Sequence, residues 1–135
     1  MTSLSPTTDE IDQLYGRVTI AIMVAEKAEA AGSKAQAAAG YLEVSFFEEE
    51  IAKLLPAADP EGEIARRGVV TAAMSAGQFV RAVEMANSYA ADPAASVPLK
   101  DQLAALGRDA EREARSRLRG PVLVHPRARF RLLAA

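Results

Sequence analysis

The sequence predicts an all-α protein. Half of its 135 residues are apolar, yet only 5% are aromatic, and alanine is frequent throughout. This composition favours closely packed helices over a sheet of β-branched and aromatic side chains. Apolar residues also recur at helical spacing in successive stretches that Gly or Pro separates. Because a chain of this length buries one core, we expect a single domain.

The first predicted helix begins at Thr7 or Thr8, since Thr7 and Glu10 have the spacing of a capping box. It ends near Gly32, because glycine readily takes the left-handed conformation that closes many helices. The predicted apolar face of this helix consists of Ile11, Leu14, Tyr15, Val18, Ala21, Ile22 and Ala25.

The second and third helices are delimited by proline and glycine. The second is predicted from about Lys34 to Leu55, where Pro56 stops it. The third begins near Pro60, because proline is tolerated at a first helical position. Gly77 then turns the chain. We expect small residues on the third helix to let its neighbours pack closely.

The fourth helix is predicted from Phe79 to the Asp92-Pro93 pair, which terminates it. A fifth helix is expected from about Pro98 to Leu118 as a cap over the preceding hairpin, and Gly120-Pro121 is expected to break it. The sequence therefore predicts a helical domain over residues 1–119 and a separate tail over residues 120–135.

The segment Ala72–Pro93 resembles the turn and second helix of a tetratricopeptide repeat. Gly77 matches the turn, Phe79 the aromatic position after it, Ala82 the small packing position and Pro93 the end of the helix. A weaker copy begins 45 residues earlier, with Gly32, Ala37 and Tyr41 at matching positions of the pattern. Regular tetratricopeptide repeats have a shorter period of about 34 residues. Over residues 8–118 the chain is similar to small bacterial tetratricopeptide-like proteins with about two repeats. This resemblance implies a scaffold or adaptor.

Carboxylates on the second helix are the first candidates for chemistry. Glu43 and Glu50 are seven residues apart and share a face, with Glu48 and Glu49 beside them. A di-metal site would also need histidines at helical spacing on a facing helix, but the chain has one histidine, His125. We therefore interpret the cluster as a solvated acidic face, or a patch for a basic partner, and expect no metal or cofactor.

Catalysis is not indicated by the remaining residues. His125 has no cysteine and no Ser/Asp arrangement to work with, so we interpret it as structural or exposed. The absence of cysteine excludes disulfides and thiolate metal sites. The N-terminal residues lack a basic signal region, and the longest apolar run is too short to cross a bilayer. The sequence therefore predicts a cytoplasmic protein that is neither an enzyme nor membrane-bound.

The C-terminal segment is electrically distinct from the rest of the chain. Residues 108–135 contain eight arginines and three acidic residues, so they carry a net charge of +5 against −7 for residues 1–107. Three arginines in the tail alternate with Ala128, Phe130 and Leu132, which is typical of an extended strand. The tail folds back on the acidic body, adds as a strand to another protein, or binds nucleic acid. The sequence leaves these alternatives open.

Together these observations predict a non-catalytic adaptor or accessory subunit that binds another protein. The concave face is expected from the first helix of each hairpin, and a homo-oligomer formed through exposed Val, Met or Phe is a second possibility. A nucleic-acid-associated accessory protein is the alternative function. The candidate partner-binding residues are Arg66, Arg67, Thr71, Arg127, Arg129, Phe130 and Arg131.

Overall fold

Helices form because apolar residues recur every three or four positions between caps and breakers. The computed structural model describes the backbone of residues 6–123 and the side chains of residues 8–118. Within that part of the chain there are five α-helices and no strand, which confirms the all-α prediction. The helices are α1 (Pro6–Ala30), α2 (Lys34–Leu54), α3 (Pro60–Ser75), α4 (Phe79–Ala90) and α5 (Val97–Leu123).

Two helix ends are closed by the same glycine turn. Gly32 and Gly77 have φ angles of 79° and 76°, which L side chains rarely adopt. After α1, the Ser33 N–H bonds to the Ala28 carbonyl at 2.9 Å; after α3, the Gln78 N–H bonds to the Ala73 carbonyl at 2.8 Å. Both are Schellman closures. The predicted turns at the two glycines are therefore confirmed.

The start of α3 also follows the sequence prediction. Pro60 is its first residue, and the Asp59 carboxylate accepts a hydrogen bond from the Glu61 N–H at 2.9 Å. This satisfies one of the unpaired amides at the helix start. The other boundaries of α1 to α4 lie within about two residues of those predicted.

The predicted break at Gly120-Pro121 is wrong, because α5 continues through both residues to Leu123. Proline removes one N–H and disturbs the preceding turn, and near the end of a helix this loss is small enough for the helix to continue. The first residues of the predicted tail, 120–123, therefore belong to α5. Residues 124–135, with the rest of the predicted strand, lie outside the described residues.

Each helix packs against the next one along the chain, and α3 also contacts α5. Small residues set the spacing: Gly40 of α2 lies so close to α1 that an added Cβ would be 2.8 Å from the Ala25 Cβ. Two core clusters result, one joining α1, α2 and α3 and the other joining α3, α4 and α5. The Tyr89 ring packs against both, so the five helices form a continuous stack.

A buried polar link joins α2, α3 and α4. The Ser45 hydroxyl donates to the Val69 carbonyl at 2.8 Å and accepts from the Arg81 Nε at 3.0 Å. Arg81 also forms a 2.7 Å ion pair with Glu49, and its guanidinium lies 4.4 Å from the centre of the Phe46 ring. These contacts fix the rotation of α2 relative to α3 and α4.

We expect Ser45→Ala to lower the free energy of unfolding by about 1.5 kcal/mol, because it leaves the Arg81 Nε without its acceptor. Ser88→Ala is the matched control, since Ser88 is exposed on α4 and should change stability by less than about 0.5 kcal/mol. Urea unfolding followed by circular dichroism measures both. Equal effects of the two substitutions would contradict a stabilising role for the buried link.

Candidate functional site

An open groove of about 610 Å³ lies between α3 and α5. Positions 64, 67/68 and 71 of α3 share one face of that helix, as do positions 102 and 105/106 of α5, because each set is spaced by three or four residues. The groove walls are formed by Ile64, Arg67, Thr71, Gln102, Ala105 and Leu106. We call this surface the α3–α5 groove.

The walls of the α3–α5 groove combine apolar surface with one fixed cation. Ile64 is 57% exposed, so its side chain offers apolar surface to a ligand in the groove. The Arg67 guanidinium donates to the Gln102 Oε1 at 3.1 Å and lies 3.8 Å from the Glu63 carboxylate. A partly exposed ion pair of this length adds little stability. Together the two contacts hold the Arg67 guanidinium of α3 next to the Gln102 amide of α5.

The floor of the groove is a carboxylate from α2. Glu48 reaches the groove because the facing residue on α3 is Gly68: an added Cβ there would be 2.8 Å from the Glu48 Oε2. Burial raises the Glu48 pKa to about 7. Within the described part of the chain this carboxylate has no hydrogen bond or ion pair. The groove therefore holds a half-buried acid with no counter-ion of its own.

A tyrosine from α1 ties the first helix to the third. The Tyr15 hydroxyl donates to the Glu61 Oε1 at 3.0 Å. Burial, this hydrogen bond and the charges of Glu61 and Glu48 raise the Tyr15 pKa to about 12, so the phenol stays protonated and remains a donor. The contact places α1 beside α3 on the side of the molecule where Glu48 lies.

The structure separates two neighbouring residues that the sequence grouped together. Arg67 and Thr71 line the α3–α5 groove, whereas Arg66 is only 7% exposed and donates to main-chain carbonyls of α2 and α3. Arg66 is thus engaged by main-chain carbonyls and does not line the α3–α5 groove. The four predicted tail residues lie outside the described residues. The sequence analysis assigned Glu48 to a solvated face. It did not include Ile64, Gln102 or Ala105 among the candidate binding residues, because only the packing of α3 against α5 brings these three together.

A second exposed apolar surface lies on α1. Ile20, Met23 and Val24 are each more than half exposed there. Val24 borders an open groove of about 620 Å³ between α1 and α2, with Lys27 and Glu43 on its two walls. The predicted homo-oligomer contact through Val and Met stays a prediction, and this is the surface on which those residue types are available.

The described residues form neither a metal-binding cluster nor a membrane-spanning helix. Among the described residues, no group of three His, Asp or Glu side chains is placed to hold a metal ion. None of the described helices combines the length and apolar character needed to cross a bilayer. The acidic run on α2 is instead divided among three environments, since Glu49 pairs with Arg81 and Glu50 with Lys53.

Comparison of the chain with known protein families, with functionally described proteins and with solved structures finds no match. The tetratricopeptide resemblance therefore depends on the pattern in Ala72–Pro93 and its weaker first copy, and it stays a prediction.

Proposed function

We propose that the chain is a non-catalytic adaptor that binds a segment of another protein in the α3–α5 groove. The observation that carries the proposal is the combination found there: an exposed Ile64, the fixed cation of Arg67 and the unpaired carboxylate of Glu48 in one concave surface. Protein interfaces are built in this way, with apolar residues at the centre and a few polar groups that set orientation.

The dimensions of the groove favour a short peptide segment as the ligand. Its volume of about 610 Å³ lies within the range of concave binding sites, and it is open along one side. Ile64 and Leu106 offer apolar contacts, while Gln102 presents an amide that can bond a peptide main chain. A segment laid along α3 would contact all three.

The tetratricopeptide-like arrangement is part of the same proposal. In it, α1, α3 and α5 are the first helices of successive units and face the concave side. The contact of α3 with α5 and the Tyr15–Glu61 hydrogen bond between α1 and α3 support this assignment. The second helices, α2 and α4, then form the outer layer.

The groove is tested by blocking it. Thr71→Arg puts a long cationic side chain into the groove, and Asn87→Arg adds the same charge at an exposed position of α4 outside it. We expect proteins captured from a lysate of the source cells by the unmodified chain to be retained by Asn87→Arg. Their recovery should fall at least about tenfold with Thr71→Arg, which corresponds to about 1.4 kcal/mol of binding free energy.

The outcome against the proposal is equally specific. If Thr71→Arg recovers the same proteins at the same level as Asn87→Arg, the groove is not the binding surface. Circular dichroism and urea unfolding of both variants show whether either substitution has altered the fold, since both positions are exposed and are expected to tolerate arginine.

A further inference from the structure

The floor of the α3–α5 groove carries a negative charge that no cation of the described chain neutralises. Glu48 lines the groove from α2 and is half-buried there. Arg67 is the cation on the groove wall, but its guanidinium lies beside Glu63 and donates to Gln102. A half-buried charge without a partner is unfavourable, and pairing with a cation would lower its energy.

The surroundings of Glu48 add to the negative charge. Burial, the hydrogen bond with Glu61 and the charges of Glu61, Glu48 and Asp59 together raise the pKa of the Tyr15 hydroxyl to about 12. One phenol at this end of the groove thus senses three carboxylates. An anionic ligand would be repelled here, whereas a cationic one would be attracted.

Glu48 is accessible from the groove because the residue that lies over it on α3 is glycine. Gly68 lines the groove, and an added Cβ there would be 2.8 Å from the Glu48 Oε2. A larger side chain at this position would displace or cover the carboxylate. The absence of a side chain at Gly68 therefore leaves room for a group of the ligand.

The donor set favours an organic cation over a metal ion. Among the described residues, no group of three His, Asp or Glu side chains is placed to hold a metal, and metal ions of the kind that carboxylates bind need several ligands. A single carboxylate is sufficient for an ammonium or guanidinium group, which it binds through charge-assisted hydrogen bonds. Lysine and arginine carry these groups in proteins.

The spacing along α3 matches that of an extended peptide. Ile64 precedes Gly68 by four residues, so the two positions are about 6 Å apart along the helix. In an extended segment, side chains two residues apart point to the same side and are separated by about 7 Å. A cation at Glu48 and an apolar side chain at Ile64 can therefore come from alternate residues of one segment.

We propose that the α3–α5 groove selects partner segments in which a lysine or arginine lies two residues from a large apolar side chain. The cation pairs with the Glu48 carboxylate, and the apolar side chain packs against Ile64. Because it names the ligand class of the groove, this proposal rests on the proposed function.

The first experiment adds two five-residue peptides, blocked at both ends, to the full-length chain. Both have leucine at each end and alanine beside the central residue, which is lysine in one peptide and norleucine in the other. Norleucine keeps the four-carbon stem of lysine without the ammonium group. From the NMR shifts of the groove amides, we expect the lysine peptide to bind about tenfold more tightly. If the norleucine peptide binds equally well, or the lysine peptide does not bind in the groove, the proposal is overturned.

Glu48→Gln removes the charge while keeping the size of the side chain. We expect the preference for lysine to fall from about tenfold to about onefold in this variant. Glu43→Gln is the matched control and should keep the preference, since Glu43 is exposed on α2 outside the α3–α5 groove. Urea unfolding checks the fold, and Glu48→Gln should be no less stable than the unmodified chain because Glu48 has no partner to lose. A preference for lysine that survives Glu48→Gln contradicts the pairing.

The pH dependence of binding gives a second readout. The charged or titratable groups around Glu48 on the neighbouring helices are Tyr15, Glu61, Glu63 and Arg67, and α5 contributes the neutral Gln102. Burial raises the pKa of Glu48 to about 7, so the carboxylate is mostly ionised at about pH 8 and mostly protonated at about pH 6, while lysine stays cationic. The lysine peptide should therefore bind up to about tenfold more tightly at the higher pH. The norleucine peptide, and both peptides with Glu48→Gln, should show no such change; equal affinity of the lysine peptide at the two pH values contradicts the pairing.

A dilution series of the chain without peptide tests a second copy as the occupant. The NMR shifts of the groove amides should not depend on protein concentration. If they move with rising concentration towards the values of the lysine complex, a second copy supplies the cation, which overturns the assignment to a separate partner.

Partner capture separates this proposal from the proposed function. If Thr71→Arg abolishes capture whereas Glu48→Gln captures as well as Glu43→Gln, the groove binds a partner but does not select for a cation. If Thr71→Arg leaves capture intact while binding of the lysine peptide still depends on Glu48, the cation site stands and the proposed function falls.

Discussion

Gly62→Ala is expected to lower the free energy of unfolding by about 4 kcal/mol, although alanine is the better helix former. Gly62 is buried in the first turn of α3, where the connection from α2 crosses it. An added Cβ would be 2.0 Å from the Pro56 carbonyl oxygen and 2.9 Å from the Arg66 Nη1. The first of these atoms belongs to the main chain, so a side-chain rotation cannot relieve the contact.

The cost is large because the Pro56 carbonyl is held in place. It accepts a hydrogen bond from the Asp59 N–H at 3.1 Å, and Asp59 in turn caps α3. Moving the carbonyl away from a new methyl group therefore strains the turn and the helix cap together. Overpacking of this kind costs about 1 to 3 kcal/mol before the hydrogen bonds are counted, and each bond lost adds about 1 kcal/mol.

Gly16→Ala is the matched control for this prediction. Gly16 lies inside α1, and a Cβ built there meets no atom within 4 Å. The same change is thus expected to raise stability there by about 0.5 to 1 kcal/mol, the gain from replacing glycine in a helix. Urea unfolding by circular dichroism measures both variants. If the two substitutions change stability in the same direction, the connection does not pack on α3 as described.

The helix boundaries could be predicted from the sequence because their signals are local. Gly32 and Gly77 mark left-handed turns, and Asp59-Pro60 marks a capped start, through the conformational preferences of the residues themselves. The break at Gly120-Pro121 was also a local prediction, and it failed. Proline disfavours a helix by a finite energy, which neighbouring turns can outweigh near a helix end.

The candidate site could be predicted only in part, because adjacent helical residues differ by about 100° in direction. Glu48, Glu49 and Glu50 read as one acidic run, yet one lines the groove, one pairs with Arg81 and one pairs with Lys53. Which of the three turns inward depends on the rotation of α2 against α3. That rotation is set by the packing of small residues such as Gly40 and Gly68 together with the Ser45–Val69 hydrogen bond, which no local pattern specifies.

The same limit explains the two arginines of α3. Arg66 and Arg67 are neighbouring arginines that the sequence alone does not distinguish. In the structure Arg66 points to the C-terminal end of α2, whereas Arg67 points to the groove. The aromatic residue beside Arg66 is Tyr89 of α4. Its ring fills the space between the two core clusters and lies 5.5 Å from the Arg66 guanidinium.

Arg66 holds the end of α2 against the start of α3. Its Nη2 donates to the carbonyls of Ala52 and Leu55, both at 3.0 Å, and its Nη1 donates to the Gly62 carbonyl at 2.9 Å. Carbonyls at the end of a helix lack partners within it, and they carry the negative end of the helix dipole. A buried cation at this point therefore satisfies main-chain acceptors and is itself stabilised by them.

Arg66→Met is expected to lower the free energy of unfolding by about 3 kcal/mol, because methionine fills much of the space but leaves the buried carbonyls without donors. Arg67→Met should cost less than about 1 kcal/mol, since Arg67 lies at the groove, and its pairing with Glu63 is partly exposed. Arg66→Lys, which keeps the charge with fewer well-directed donors, should fall between them. Urea unfolding gives the three values, and hydrogen exchange of the last turn of α2 reports whether the loss begins there. If Arg66→Met is as stable as Arg67→Met, the carbonyls of α2 do not depend on this guanidinium, and Arg66 would again be free for the partner-binding role predicted from the sequence.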